Sequence, residues 1–159
     1  METHKMSEQQ TSAFLKRVLL VVDGSKESEQ ATAFALRLVA NLQSELIATY
    51  IVDTATLDYL LQMRIFVSEE REEFESSINM KGQAYLERTK RLAKAANVDI
   101  QTEVLRGRLN QVVLNYVRNH QIDAIVIGGR RGLYHDKDVF TVERELLLEL
   151  ADVPIFVIK

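Results

Sequence analysis

Residues 17 to 25 read RVLLVVDGS, and Val18 to Val22 form an unbroken apolar run that stops at Asp23, Gly24 and Ser25. A run without alternation is the pattern of a strand buried on both faces, which is found in parallel sheets covered by helices on either side. The next segment, 27 to 42, places Ala31, Phe34, Ala35, Leu38 and Leu42 at helical spacing. Ser25 or Lys26 stands at its start and Glu27 and Glu29 in its first turn, where carboxylates suit the helix dipole. The spacing therefore predicts a strand, a tight turn and a helix, which is the opening of a βαβ unit.

Working outward, ELIATYIVD (45 to 53) is a second buried strand and VDIQTEVLRG (98 to 107) a third, whose alternation of Val98, Ile100, Thr102 and Val104 marks it as half-exposed. The second half of 54 to 97 is helical with mixed charges, whereas its first half, TATLDYLLQMRIFVSEE, fits no element cleanly. LNQVVLNYVRNH is a helix, DAIVIGG a strand, VERELLLEL a helix and VPIFVIK a last strand. The alternation predicts a doubly wound, five-stranded parallel sheet with right-handed crossovers and helices on both faces, an α/β fold of Rossmann-like type.

With 159 residues the chain has room for one domain, and 47% hydrophobic against 27% charged residues separates it from disordered compositions. The polar, unpatterned residues 1 to 16 are expected to be a flexible tail, and 17 to 159 the domain. A net charge of −3, with Lys and Arg scattered among acids, argues against a nucleic-acid partner. Without cysteine there is neither disulfide nor thiolate chemistry. No signal-peptide core is visible at the start and no apolar run nears the roughly 18 residues of a membrane span, so a cytoplasmic protein without membrane association is expected.

Several short pieces, in this order and spacing, carry a family resemblance. They are DGS followed by Ser28 and Ala31, a second strand ending in Asp53, Arg106-Gly107, DAIVIGGRRG at 123 to 132, and PIFVIK at the end. Over residues 17 to 159 the sequence resembles a universal stress protein domain. The resemblance implies a sheet of the adenine nucleotide alpha hydrolase-like kind and a homodimer pairing last strands, residues 153 to 158. That family has an ATP-binding branch and a branch that does not bind ATP. In the ATP-binding branch a glycine, two residues, a second glycine and nine residues precede Gly with Ser or Thr.

Here Gly129, Arg130, Arg131 and Gly132 match the first half. Nine residues beyond Gly132 come Val142 and Glu143, while aligning backward from Pro154 gives Thr141 and Val142; neither register supplies the Gly-Ser pair. A branched side chain or a carboxylate at that point is expected to obstruct and repel a phosphate. Thr141 retains a hydroxyl, as donor or as helix cap. On the adenosine side the resemblance sets Asp23 against base or ribose and Ile51 against the base. Each also has a plainer role, Asp23 as a turn residue before Gly24 and Ile51 as core. Arg130 is read equally as a phosphate contact and as a solvated loop cation. Gly107 matches a turn glycine of the family, and Leu109 stands where proline is frequent.

Catalytic and metal motifs are absent from the sequence: His120 and His135 stand 15 positions apart without a carboxylate at ligand spacing, and Asp53 and Asp58 have nothing to place them across a substrate. The apolar cluster around Tyr59 to Phe66 is either core or a partner-binding flap. The apolar terminal strand lies at an edge, which symmetric pairing would cover. The sequence thus predicts a homodimeric, non-enzymatic module of stress response or regulation, acting on an unidentified protein partner. The alternative is a switch that holds ATP or AMP through Asp23, Ile51, Gly129, Arg130, Gly132, Thr141 and Val142, with slow or no hydrolysis and with Mg entering only alongside the nucleotide.

Overall fold

The computed structural model describes residues 14–65, 67–129 and 139–159. The strands are β1 (Arg17–Val22), β2 (Glu45–Asp53), β3 (Ile100–Gly107), β4 (Ala124–Gly128) and β5 (Ile155–Ile158). The helices are α1 (Lys26–Leu42), α2 (Thr54–Gln62), α3 (Ser68–Ala95), α4 (Leu109–Asn119) and α5 (Val139–Leu150). All strand pairs are parallel, in the order β3-β2-β1-β4-β5. This is the predicted sheet, with helices on both faces.

Alternation along each strand divides the core in two. Val18, Leu20 and Val22 of β1 join Leu46, Ala48 and Val126 under α1 and α3, where Ala31, Ala35, Val39 and Leu86 complete one cluster. Leu19 and Val21 face the other way, with Ile47, Ile51, Ile125 and Ile127, against Val113, Val117 and Leu147 of α4 and α5. Because both faces of β1 are buried, its sequence could not alternate, which is why its unbroken run decided the fold.

Three boundaries differ from the sequence reading. The segment after β2 contains a helix of its own, α2, begun by Asp53, whose carboxylate accepts the Ala55 N–H at 3.0 Å. Helix α5 starts at Val139 and not at Val142; Glu143, a charged residue at a buried position, interrupts the apolar stripe that would have revealed the first turn. Leu15 is buried and the Lys16 N–H donates to Asp123 Oδ2, so packing begins before residue 17; residues 1–13 of the expected tail lie outside the described residues.

The first four helices close in one way. A non-glycine residue in the left-handed region, Gln43, Arg64, Asn97 or Gln121, follows each helix. The next N–H reaches back five residues to Val39, Leu60, Ala93 or Val117, the bond of a Schellman motif. Glycine suits that position better, since an L side chain there costs about 1 to 2 kcal/mol, partly offset by glycine's greater freedom when unfolded. Gln121 is exposed and has no packing to lose. Gln121→Gly is therefore expected to stabilise the protein by about 0.5 to 1 kcal/mol. A urea midpoint at or below that of the wild type would refute this.

Candidate functional site

In the order β3-β2-β1-β4-β5 the chain runs outward from β1 through β2 to β3 and then returns to place β4 on the other side of β1. The crevice outside the carboxyl ends of β1 and β4 is the topological switch point, where open α/β sheets bind ligands. The registers Val22↔Tyr50 and Val21↔Ile127 bring the ends of β2, β1 and β4 side by side. Asp23, Ile51 and Gly129 are gathered there from three separate stretches of sequence.

The turn after β1 is built by its own side chains. Asp23 Oδ1 accepts the Ser25 N–H at 2.9 Å, Ser25 Oγ caps α1 by accepting the Ser28 N–H at 3.1 Å, and Ser28 Oγ accepts the Asp23 N–H at 3.0 Å. Asp23 itself is exposed, so its carboxylate makes the turn while remaining open to solvent. Gly24 has φ +79°, and a Cβ there would stand 2.2 Å from the Tyr85 ring. Tyr85 lies 6.0 Å from the Tyr50 ring, centroid to centroid. Burial, then Tyr85, then Asp23 push the Tyr50 phenol above its ordinary value, as expected for a tyrosine pair roofing this end of the sheet.

Ile51 is buried in the cluster with Val113 and Leu147, the core role. The loop after β4 begins tightly. A Cβ on Gly128 would lie 2.6 Å from the Glu27 carbonyl carbon and the Ser28 nitrogen, so β4 ends against the first turn of α1. Gly129 is buried and donates its N–H to the Ile158 carbonyl at 2.6 Å, tying the loop to β5. Arg144 of α5 donates to the Gly128 carbonyl oxygen. Arg130 and Gly132 lie outside the described residues, as does His135.

The start of α5 corrects two expectations. Thr141 is the third residue of the helix and not its cap, and Val142 is the fourth, 42% exposed. Glu143, expected to repel a phosphate with a free charge, is fully buried and already neutralised. Its Oε1 accepts from Arg108 Nε at 3.0 Å and Nη2 at 2.9 Å, and its Oε2 accepts from the Asn110 N–H at 3.2 Å and from Asn110 Nδ2. Four donors on two oxygens fully satisfy this carboxylate, which sits at the amino end of α4 where a helix favours negative charge. Sequence reasoning missed this cluster, for Arg108 and Glu143 are 35 positions apart and neither stands in a motif.

Asp53 also faces this carboxylate. Burial first, with the Glu143 charge adding to it, holds its carboxyl above the ordinary value of 3.8, against the opposing Ala55 N–H. A folded protein that keeps the proton more tightly loses stability as pH rises from 3.8 through the raised value. Asp53→Asn retains a capping oxygen and removes the charge. Its melting temperature should equal or exceed that of the wild type at neutral pH, with the advantage shrinking as pH falls toward 3.8. A variant less stable than the wild type at pH 7 would show that ionised Asp53 contributes more than its cap.

Among the described residues no group of three or more His, Asp or Glu could hold a metal ion, and no helix is long and apolar enough to cross a membrane. Asp58 pairs with Arg71 at 3.0 Å and not with Asp53, while His120 is exposed and stacks on Tyr116.

The model of the universal stress protein family matches residues 15–159. The chain belongs to the universal stress protein family. It is 25% identical over 146 residues to universal stress protein MJ0531 of Methanocaldococcus jannaschii, covering 91% of this chain and 82% of that one. The structure of a universal stress protein family member from Burkholderia pseudomallei superposes with a TM-score of 0.71 at 18% identity, covering 92% of this chain and 97% of the other. A family protein from Arabidopsis thaliana, solved with AMP bound, gives 0.63 at 18% identity, with 91% of each chain covered. At such identities the structural likeness speaks for the fold, which this universal stress protein domain shares.

Proposed function

We propose that this universal stress protein domain is a homodimeric, non-enzymatic module of stress response or regulation whose phosphate site is degenerate. One observation carries the reading. Where one register of the family motif calls for Ser or Thr, the chain has Glu143, and that residue is locked into Arg108 and Asn110. The residue before it, Val142, brings a branched side chain in place of glycine. The amino end of α5 therefore lacks the close backbone approach that a triphosphate needs, and its hydroxyl, on Thr141, stands where the other register calls for glycine. Among the described residues no acid and base are poised across the crevice for catalysis, since Asp23 is engaged in its turn.

The dimer is supported by β5. It is the edge strand beside β4, and Val157, Leu148 and Leu150 expose 36%, 50% and 51% of their surface on β5 and α5. An apolar edge of this kind is covered when two copies pair it across a twofold axis. Sedimentation velocity should give a dimer for the wild type and a monomer for Val157→Glu; a monomeric wild type would contradict the pairing.

The second reading, an adenine nucleotide switch, is favoured by the AMP-bound Arabidopsis relative and by the convergence of Asp23, Ile51 and Gly129. AMP needs little of the altered half of the motif. Calorimetric titration of AMP and of ATP with Mg²⁺ separates the readings. The proposal expects no ATP binding tighter than millimolar. Tight ATP binding would make the chain a switch of the ATP class, and AMP binding alone would make it a monophosphate sensor.

A further inference from the structure

The helical layer extends past the sheet at one corner. With 28 residues, α3 is about 42 Å long, whereas the longest strand it covers, β2 with 9 residues, spans about 30 Å. All its buried residues, Gly82, Leu86, Thr89 and Ala93, lie in its second half. The first half has no fully buried residue, only half-buried Arg71, Glu75, Ile78 and Asn79, and is braced by Arg71 on Asp58 of α2 and by Glu75 on Arg106 of β3. So α2, anchored in the core by Ala55 and Leu57, and the start of α3 form a hairpin whose turn projects beyond the core.

The turn of that hairpin shows large apolar side chains to solvent: Met63, Ile65 and Val67 expose 58%, 64% and 58%. Ile65 follows left-handed Arg64 at the place that Ile122 takes after Gln121, and the comparison is direct. Ile122 is 4% exposed, packed as the Schellman motif normally packs its following apolar residue. Ile65 is turned outward with the same backbone hydrogen bond.

Charge adds a second, independent feature. From residue 58 to 75 six carboxylates stand against two arginines, and one of those is committed to Asp58. Glu70 accepts the Val67 N–H, and Glu75 is paired. Glu69, Glu72 and Glu73 are exposed and form no ion pair among the described residues.

We propose that the α2–α3 hairpin is a docking site for a cationic amphipathic helix of a partner protein, with Met63, Ile65 and Val67 receiving its apolar stripe and Glu69, Glu72 and Glu73 its basic flank. Exposed apolar anchors followed directly in the chain by exposed carboxylates complement such a helix in both respects, the anchors giving affinity and the charges giving orientation and rate. An anionic membrane or nucleic acid is repelled by the same carboxylates. The inference rests on reading the chain as a module that works through protein partners, yet its test is independent of nucleotide and of the β5 dimer.

The probe is a synthetic labelled helix of leucine and lysine at amphipathic spacing, titrated with the intact protein and followed by fluorescence anisotropy. Binding should weaken with added salt, at least tenfold with Ile65→Asp, and at least tenfold with Glu72→Lys combined with Glu73→Lys. It should be unchanged by Asp99→Lys, an exposed acid at the opposite end of the sheet. All these positions are exposed, so the variants fold. No binding by the wild type, or binding indifferent to both sets of changes, would overturn the proposal. So would a wild-type oligomer beyond the dimer that disappears in Ile65→Asp without peptide binding, which would assign the surface to a second copy of this chain.

Discussion

Arg108→Ala is expected to cost about 2 to 4 kcal/mol in urea denaturation, far above the ~0 to 1 kcal/mol of an exposed ion pair. The reason lies in the asymmetry of the pair: the Arg108 side chain is 54% exposed and returns to water readily, whereas that of Glu143 is 0% exposed. Removing the arginine leaves a buried carboxylate with only the Asn110 donors. The range is set below the full cost of breaking a buried pair because half of Arg108 is already solvated. Glu143→Gln keeps the shape and one acceptor oxygen, so it should cost less, about 1 to 2 kcal/mol. If the order were reversed, or if Arg108→Ala behaved as a surface change, the cluster would not be what anchors α5 to α4.

Gly128→Ala should cost about 3 kcal/mol, near the upper end of overpacking. The added methyl would meet backbone, the Glu27 carbonyl carbon and the Ser28 nitrogen at 2.6 Å, and backbone in the first turn of a helix cannot rotate away. Gly129→Ala makes the comparison internal. Its Cβ would lie 3.1 Å from Lys159 Cγ and 3.3 Å from the Ile158 carbonyl oxygen, contacts that a side chain and a strand end can relieve. A cost of about 1 kcal/mol or less is expected there. Equal effects would show that β4 does not end against α1 as described, and the crevice at the switch point would have to be redrawn.

These two sites mark where the sequence was readable. The fold could be read because β1, β2 and β4 are buried on both faces, which suppresses alternation and leaves continuous apolar runs between helical periods. Helix α2 could not be read so: only Ala55 and Leu57 are buried, and its N-cap, Asp53, doubles as the end of a strand. The turn residues Asp23 and Gly24 were visible as a tight turn, but the Tyr85 ring that makes Gly24 obligatory comes from 61 positions away. At the start of α5 the sequence showed what was missing from the family pattern, Gly-Ser, and misjudged what stood there. Glu143 counts as a repulsive charge only while Arg108 and Asn110 are out of view, and no local rule connects the three. Long-range polar pairing is what a single sequence conceals most completely.

Whether the corner at the start of α5 still receives a triphosphate decides between the two functions. Thermal unfolding of the purified protein with and without millimolar ATP and Mg²⁺ tests it most directly. A ligand at a hundredfold over its dissociation constant stabilises by about 2.7 kcal/mol, which for a domain of this size raises the melting temperature by roughly 5 to 10 °C. The buried Glu143 pair and the exposed Val142 predict no shift. A rise of that size would contradict the account and make the crevice between β1 and β4 a working ATP site.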